Sequence, residues 1–197
     1  MRDLMRFTLG NLMQNSKKYE ENIFLPSLNQ PDVFFRFMQE EDLNKVLIIE
    51  RASFISPWSK FYFLHELHFN ANSILIMMIQ KNTYEETVIG YADLWKEKNW
   101  MHIANFAISP DARNRGYGTA LLHFICYYAE AMDFKKIRLE VRIANFAAIR
   151  LYKKIGFSTL HTIPEYYVDN KEDGYCMEAD VRKCIELLMQ VVHESNG

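Results

Sequence analysis

Residues 107–119 read AISPDARNRGYGT, an apolar strand segment that runs into a basic, glycine-bearing turn and then opens a helix. Gly116 and Gly118 belong to a set of only 7 glycines in the chain. Glycine can adopt backbone conformations that a Cβ forbids, so main-chain N–H groups can surround a ligand here. The first amides of the helix carry partial positive charge toward the same place, and Arg113 and Arg115 add full charges. The stretch predicts an anion site that suits a diphosphate.

The glycine spacing disfavours two well-known phosphate motifs. A Walker loop needs Gly-x4-Gly-Lys-Ser/Thr, which is not present at this turn. A dinucleotide fingerprint needs Gly-x-Gly-x-x-Gly, but Ala120 and Leu121 follow the second glycine and no third one completes the pattern. The remaining patterns are Arg/Gln-x-x-Gly-x-Gly/Ala, which residues 113–118 match, and a basic turn that only caps a helix.

Three blocks of the sequence together resemble one protein family. Residues 113–118 (RNRGYG) are similar to the coenzyme A pyrophosphate loop of the GCN5-related N-acetyltransferase (GNAT) superfamily. Residues 139–157 (LEVRIANFAAIRLYKKIGF) resemble a block of its RimI-type branch, the ribosomal-protein N-alpha-acetyltransferases. Upstream, Ile49-Glu50, Phe54 and Pro57-Trp58-Ser59 resemble the first helical region of the same branch. The resemblance covers residues 33–182.

The resemblance implies a GNAT fold, which is an α+β architecture. Its mixed, mostly antiparallel and twisted sheet of about seven strands is flanked by helices, and its central strands splay apart. Hydrophobic periodicity predicts strands over residues 33–38, 74–79, 87–95, 100–109, 137–142, 157–168 and 174–182. The same patterns predict helices over residues 40–51 and 59–68, one after the glycine turn, and one between Asn145 and Gly156.

The chain divides into a central domain and two ends. Residues 1–32 are predicted to be an N-terminal extension, with one short helix on the surface and a boundary near Pro31. Residues 33–182 form the acetyltransferase domain. Residues 183–197 are a C-terminal helix and tail, because residues 184–192 carry an apolar stripe at helical spacing.

Two residues carry the predicted chemistry. Transfer of an acyl group from a thioester to an amine needs a neutral amine, a polarised carbonyl and a proton for the departing thiolate. From spacing alone, Glu140 is an exposed charge between two arginines and Tyr152 a half-buried aromatic anchor. The resemblance implies instead that Glu140 is the general base and that Tyr152 donates the proton to the coenzyme A sulfur.

The resemblance implies acetyl-CoA as cosubstrate and no metal. The predicted cofactor-binding residues are Phe106, Ala107 and Ile108 through their main chain, Arg113, Asn114, Arg115, Gly116, Tyr117, Gly118 and Thr119 around the diphosphate, and Asn145 at the pantetheine arm. Asn145 is also a good helix N-cap, and the two roles are compatible. His65 and His68 have the spacing of two metal ligands, but no third ligand is near them in the sequence.

The acceptor implied by the resemblance is the N-terminus of a ribosomal protein. At pH 7, deprotonating an α-amine of pKa about 7.8 costs roughly 1 kcal/mol, against roughly 4.6 kcal/mol for a lysine. Tyr166 and Tyr167 resemble a pair that holds the substrate backbone, and Phe54 and Trp58 belong to the opposite wall of the site. Pro164-Glu165 departs from the branch, which has basic residues there. The alternatives are therefore a GNAT enzyme for small amines, polyamines or lysine, and a non-catalytic acetyl-CoA-binding module.

Composition restricts the partners and the compartment. The net charge of −2 argues against a nucleic-acid binder that works by bulk electrostatics. The 3 cysteines form no Cys-x-x-Cys pair, which indicates a reducing compartment. No apolar run approaches the roughly 18 residues of a membrane span, and the start does not resemble a signal peptide. We expect a cytoplasmic protein without membrane or nucleic-acid partners, as a monomer or weak dimer.

Overall fold

A computed structural model describes residues 25–26, 32–82 and 85–194 of the 197-residue chain. The helix predicted within residues 1–32 lies outside the described residues. The strands are β1 (Leu25–Pro26), β2 (Val33–Phe37), β3 (Ser73–Lys81), β4 (Glu86–Lys96), β5 (Met101–Ile108), β6 (Lys136–Arg142), β7 (Ser158–Tyr167) and β8 (Glu172–Asp180). The α-helices are α1 (Leu43–Ser53), α2 (Lys60–His68), α3 (Tyr117–Ala131), α4 (Phe146–Lys154) and α5 (Val181–Glu194).

The strands form one sheet in the order β1-β2-β3-β4-β5-β6-β8-β7. Each neighbouring pair is antiparallel except β5 and β6, which run parallel. This confirms the predicted α+β fold with its mixed, mostly antiparallel sheet. The sheet contains 8 strands because the 2-residue β1 adds to the edge at β2, next to the seven expected from the sequence.

The two central strands part shortly after they meet. Pairing between β5 and β6 is limited to Met101–Ile103 against Ile137–Leu139. Beyond Ile103 the register of β5 against β4 shifts, because Asp93 pairs with Asn105 while Leu94 pairs with Ile103. Ala104 is therefore an extra residue, and such a bulge bends a strand locally. The predicted splay is confirmed, and it opens a gap between β5 and β6.

Helices cover both faces of the sheet, and the sheet separates the core into two apolar clusters. One apolar cluster joins α1 and α2 to the sheet through residues such as Leu47, Phe63 and Tyr91. The larger cluster joins the other face to residues of α3, α4 and α5, including Leu121 and Ile185. Strand β3 lies between the two, so its residues from Ile74 to Ile79 are all buried, as the continuous apolar run predicts.

Local sequence chemistry sets the helix ends near the gap. The Asn145 side chain accepts a hydrogen bond from the Ala148 N–H at 3.2 Å, which confirms the predicted N-cap of α4. Gly156 has a φ of 100°, as expected of a glycine that follows a helix.

Helix α5 begins at Val181, directly after β8, and buries Cys184. The boundary predicted at residue 183 therefore lies inside a helix that is packed into the core. None of the helices in the described ranges is long and apolar enough to cross a membrane.

Candidate active site

The open edge of β5 faces the gap between β5 and β6. The Ser109 N–H bonds to the Ile89 carbonyl of β4. Because backbone groups alternate sides along a strand, those of Ala107 also face β4, while those of Phe106 and Ile108 face the gap. Of the three residues predicted to bind a pantetheine arm through their main chain, Phe106 and Ile108 thus present peptide groups to the gap, and Ala107 pairs with Tyr91.

Side chains already occupy part of this edge. The Phe106 N–H donates to the Oδ1 atom of Asn105 at 2.9 Å. The Ile108 carbonyl accepts from Nε of Arg113 at 3.1 Å. A ligand that pairs with β5 as an added strand would compete with Asn105 for the Phe106 N–H.

The glycine turn leads into α3 as expected, although its two glycines have different functions. Gly116 has a φ of 84° and occupies the N-cap position of α3, and Asn114 also has a positive φ, 60°. Gly118 is helical, so the expectation of an unusual backbone conformation there is wrong. A Cβ on Gly118 would lie 3.0 Å from Cδ2 of Leu151, so this glycine allows α3 and α4 to approach closely.

Two side chains of the turn, Arg113 and Tyr117, bind other parts of the protein and are not directed to an anion. Arg113 donates to Oγ of Ser53 at 2.9 Å as well as to the Ile108 carbonyl, so it ties the turn to α1 and β5. Tyr117 is buried, and its hydroxyl accepts a hydrogen bond from Gln80 at 3.0 Å. Residues 114–116 are exposed, and Thr119 is half-buried in the first turn of α3. The turn can therefore offer main-chain N–H groups and the Arg115 charge to an anion.

Glu140 lies on β6 at the gap, and its carboxylate has several partners. Nε2 of His102 lies 2.6 Å from its Oε2 atom. Tyr166 and Cys176 lie near this side chain, since its negative charge, after burial, raises the pKa of both groups, and Cys176 is opposite Glu140 on β8. Sequence reasoning missed His102. The signal that could have found it is register, since β5 and β6 are parallel and His102 lies opposite Arg138, on the face that Glu140 shares.

The two tyrosines nearest to this chemistry keep their protons at neutral pH. Burial, followed by the negative charge of Glu140, raises the pKa of Tyr166 to about 12. Burial also raises the pKa of Tyr152 well above its usual value. The Tyr152 ring meets the Phe106 ring edge-on, with centroids 6.3 Å apart. Tyr152 thus approaches the open edge of β5 from α4, while Glu140 approaches the gap from β6.

The residues that depart from the RimI-type pattern form a bulge in β7. The register of β7 against β8 breaks between Ile163 and Tyr167. Glu165 has a φ of 50°, and its N–H donates to Asp173 Oδ1 at 2.9 Å. Tyr166 then packs against Gly174, where a Cβ would lie 3.2 Å from the Cβ of Tyr166. The bulge directs Tyr166 toward Glu140.

An ionic cluster borders the site beyond Tyr166. Arg142 donates to Asp169 at 2.5 Å, to Glu172 at 3.2 Å and to Asn170 at 2.9 Å, and these four residues form the Arg142 cluster. Its guanidinium carbon lies 3.9 Å from the ring centroid of Tyr167. Ser56 donates to Asp169 at 3.1 Å, so the loop between α1 and α2 contacts the loop between β7 and β8 across the site.

Phe54 and Trp58 lie in the α1–α2 loop. Phe54 follows the end of α1 and is 36% exposed. The Trp58 ring packs on Tyr62, with centroids 4.1 Å apart. The backbone N–H of Trp58 donates to Oε1 of Glu50 at 2.6 Å, and Glu50 is completely buried. Burial raises the pKa of Glu50 to about 7.

The pair of histidines considered as metal ligands contacts carboxylates instead. His65 lies 3.3 Å from Glu66, and His68 lies 2.9 Å from Glu40. Within the part of the chain that the structure describes, no group of three or more His, Cys, Asp or Glu side chains could hold a metal ion.

Comparisons with known proteins agree with this geometry. A model of the acetyltransferase (GNAT) family matches residues 43–157. A Bacillus subtilis (strain 168) protein, named provisionally as a ribosomal protein bS18-alanine N-acetyltransferase, is 35% identical over 142 residues, which span 72% of this chain and 91% of that protein. The ribosomal protein bS18-alanine N-acetyltransferase of Escherichia coli (strain K12) is 28% identical over 142 residues, 71% of this chain and 92% of that one.

Solved structures give the same result. The crystal structure of the ribosomal-protein-S18-alanine N-acetyltransferase from Escherichia coli superposes with a TM-score of 0.67 and 25% identity, covering 76% of this chain and 94% of that chain. Ard1 from Thermoplasma volcanium superposes with a TM-score of 0.66, also at 25% identity, and covers 76% of this chain and 97% of that chain.

Proposed function

The chain belongs to the acetyltransferase (GNAT) family, and from this premise we propose that it acetylates the N-terminal α-amine of a protein, with a ribosomal protein as acceptor. The family confirms the predicted enzyme class, an acetyl-CoA-dependent N-acetyltransferase, and the predicted RimI-type relationship. The acceptor is supported by the relatives named for the alanine of ribosomal protein bS18.

One observation carries the catalytic assignment. The carboxylate of Glu140 is held by His102, with Tyr166 nearby, beside the gap where β5 and β6 part. A base at this position can take the proton of an incoming amine, directly or through one water. The neutral amine then attacks the thioester carbonyl carbon, and the charge that develops on the carbonyl oxygen is stabilised by main-chain N–H groups on the open edge of β5.

Tyr152 is the proposed acid. When the tetrahedral intermediate collapses, the C–S bond breaks and the sulfur leaves as a thiolate, whose conjugate acid has a pKa of about 8.5. The buried Tyr152 hydroxyl is protonated at neutral pH, since burial raises its pKa. It can therefore protonate the sulfur as the C–S bond breaks. The amine nitrogen releases its second proton as the amide forms, which restores Tyr152 through water, and the proton collected by Glu140 returns to solvent.

Acetyl-CoA is proposed to lie along the gap and over the start of α3. Its diphosphate would meet the main-chain N–H groups of residues 114–119 and the Arg115 charge. Its pantetheine arm would pair with the Phe106 carbonyl and the Ile108 N–H and contact Asn145. Arg113 is assigned a positioning role here, because its guanidinium is bound to Ser53 and Ile108.

The acceptor is proposed to enter from the α1–α2 face. Phe54 and Trp58 would line one side of its path, and Tyr166 and Tyr167 the other. The contact between Ser56 and Asp169 joins the two sides, which favours a thin N-terminal segment over an internal chain. Three buried free cysteines fit a reducing compartment, and we propose a cytoplasmic monomer or weak dimer.

The experiment is mass-spectrometric detection of acetyl transfer to two matched peptides. One peptide has a free N-terminal alanine and no lysine, and the other has a blocked N-terminus and one lysine. Acetylation of the free N-terminus alone is expected, and Glu140→Gln should abolish it. Acetylation of the lysine alone, or of a small amine such as spermidine alone, would overturn the proposed acceptor class.

A further inference from the structure

Glu50 is a buried carboxylate that links two parts of the active site. It lies near the end of α1 with none of its surface exposed. Its Oε1 atom accepts a hydrogen bond from the backbone N–H of Trp58 at 2.6 Å. Its Oε2 atom accepts the Tyr91 hydroxyl and, at 3.3 Å, the side-chain amide of Asn105. Every partner donates, and each of the two carboxylate oxygens accepts from at least one of them.

The two ends of this network lie at functional positions. Trp58 belongs to the α1–α2 loop, the proposed side of the acceptor path. Asn105 follows the bulge in β5, and its Oδ1 atom accepts the Phe106 N–H that faces the gap. A side-chain amide has one donor end and one acceptor end. Because Glu50 only accepts hydrogen bonds, it determines that the Asn105 oxygen faces Phe106.

Packing alone does not account for Glu50. Its neighbours include the buried cluster residues Leu47 and Ile49 on α1 and Tyr91, whose hydroxyl donates to it. In such a place an apolar side chain of similar volume commonly gives equal or greater stability than a buried charge. A carboxylate that is kept here and bound by three donors indicates a requirement for defined geometry.

We propose that Glu50 is a positioning residue that fixes the α1–α2 loop and the Phe106 peptide group relative to each other. Acceptor binding and the orientation of the acetyl group would then depend on one carboxylate. The inference rests on the proposed function for the assignment of the acceptor path. It assigns Glu50 no contact with the reacting atoms.

The test is a steady-state comparison of Glu50→Gln with the wild type on the alanine peptide. Glutamine keeps the shape and one oxygen. If its NH2 group faces the Trp58 backbone N–H, that contact is lost. If it faces Tyr91 and Asn105, the Tyr91 hydroxyl can turn to accept, but the Asn105 amide must either lose the contact or flip and release Phe106. Loss of a hydrogen bond that leaves a buried donor unsatisfied corresponds to about a tenfold effect. We expect the acceptor KM to rise at least about tenfold and kcat to fall, with the Kd of acetyl-CoA changed less.

Asp42→Asn is the matched control. Asp42 is a buried carboxylate at the other end of α1, bound by Arg36 at 2.6 and 2.7 Å. Its hydrogen-bond partners are Arg36 and the Gln39 N–H, which lie outside the site, so its substitution should lower the melting temperature and leave the acceptor KM unchanged. An acceptor KM for Glu50→Gln that rises no more than that of Asp42→Asn would overturn the proposal.

Asn105→Ala is a second variant, in case Glu50→Gln folds poorly. It cuts the link to Phe106 but leaves the Trp58 contact, so it should lower kcat while keeping the acceptor KM near the wild-type value. An unchanged kcat would contradict the proposal. If the wild type acetylates only lysine or a small amine, the proposed function fails, and the same KM and kcat comparison with that acceptor still decides the role of Glu50.

Discussion

Nε2 of His102 lies 2.6 Å from Oε2 of Glu140, and both side chains are largely buried, with 17% and 19% of their surface exposed. At this distance an N–H of His102 donates to the carboxylate, which fixes its rotamer. Tyr166 reaches the same carboxylate from β7. The proposed base thus has His102 of β5 on one side and Tyr166 of β7 on the other. Substitutions of Glu140 and of His102 test the base and its positioning separately.

Glu140→Gln should reduce kcat by at least about 100-fold, since a general base contributes 10² to 10⁴ in rate. The amide keeps the size of the side chain, so the Kd of acetyl-CoA, measured by calorimetry, should stay within about twofold of wild type. Glu178→Gln is the control, because that carboxylate pairs with Arg138 on the same face of the sheet. Equal kcat values for wild type and Glu140→Gln would refute the assignment.

His102→Asn should lower kcat/KM about tenfold, because it removes the donor that orients the Glu140 carboxylate. The Kd of acetyl-CoA should change little, since His102 has no assigned contact with the cofactor. Trp95→Phe serves as the control, since it alters the ring that contacts His102 without removing the donor. A kcat/KM that falls no more than that of Trp95→Phe would contradict the positioning of Glu140 by His102.

Tyr152→Phe should lower kcat without weakening acetyl-CoA binding, because it removes only the hydroxyl that donates to the thiolate. The aromatic contacts with Phe106 and Phe157 remain, so the melting temperature should change little. Tyr128→Phe, at the far end of α3, is the matched control. A thioester with a better leaving group should recover part of the lost rate in the Tyr152 variant; no recovery would speak against a proton donor.

Features that depend on neighbours in the sequence could be predicted. The N-cap at Asn145 and the positive φ of Gly116 follow from local backbone chemistry. The alternation of Ile137, Leu139 and Val141 with charged residues predicts which face of β6 is buried, and the structure agrees. Each of these depends on a few consecutive residues, so the sequence carries the information directly.

Features that depend on contacts between residues far apart in the sequence could not be predicted. The contact of His102 with Glu140 requires the parallel register of two strands separated by α3. Arg113 contacts Ser53, 60 positions earlier in the chain, instead of standing free at the turn. Gly118 is required by Leu151 of another helix, whereas spacing alone suggested a role for its backbone conformation. Side-chain direction and helix approach are decided by the assembled fold.

Gly116→Ala should weaken acetyl-CoA binding more than Gly116→Asn. The residue has a φ of 84°, and the left-handed region costs an ordinary L-residue about 1–2 kcal/mol, while asparagine tolerates it better. We expect alanine to raise the Kd of acetyl-CoA about tenfold, because a strained turn displaces the amides that would bind the diphosphate. Similar Kd values for both variants and wild type would show that the turn does not bind the diphosphate.

In the wild type, the free energy of unfolding should fall as pH rises, and Asp93→Asn should remove that part of the fall which comes from Asp93. Burial raises the pKa of Asp93 from 3.8 to about 8, and Ser73 donates to it at 2.8 Å. Between these values the unfolded chain releases a proton that the folded protein retains, so the free energy of unfolding falls as pH rises from about 4 to about 8. Asparagine is neutral throughout. Glu50 and His123 titrate in both proteins, so their contributions cancel in the difference between variant and wild type. Urea unfolding at pH 5 and pH 8 should therefore show the variant gaining a few kcal/mol relative to wild type at the higher pH, with the exposed Asp111→Asn showing no such gain. A difference that is the same at both pH values would mean that Asp93 is ionised in the folded protein.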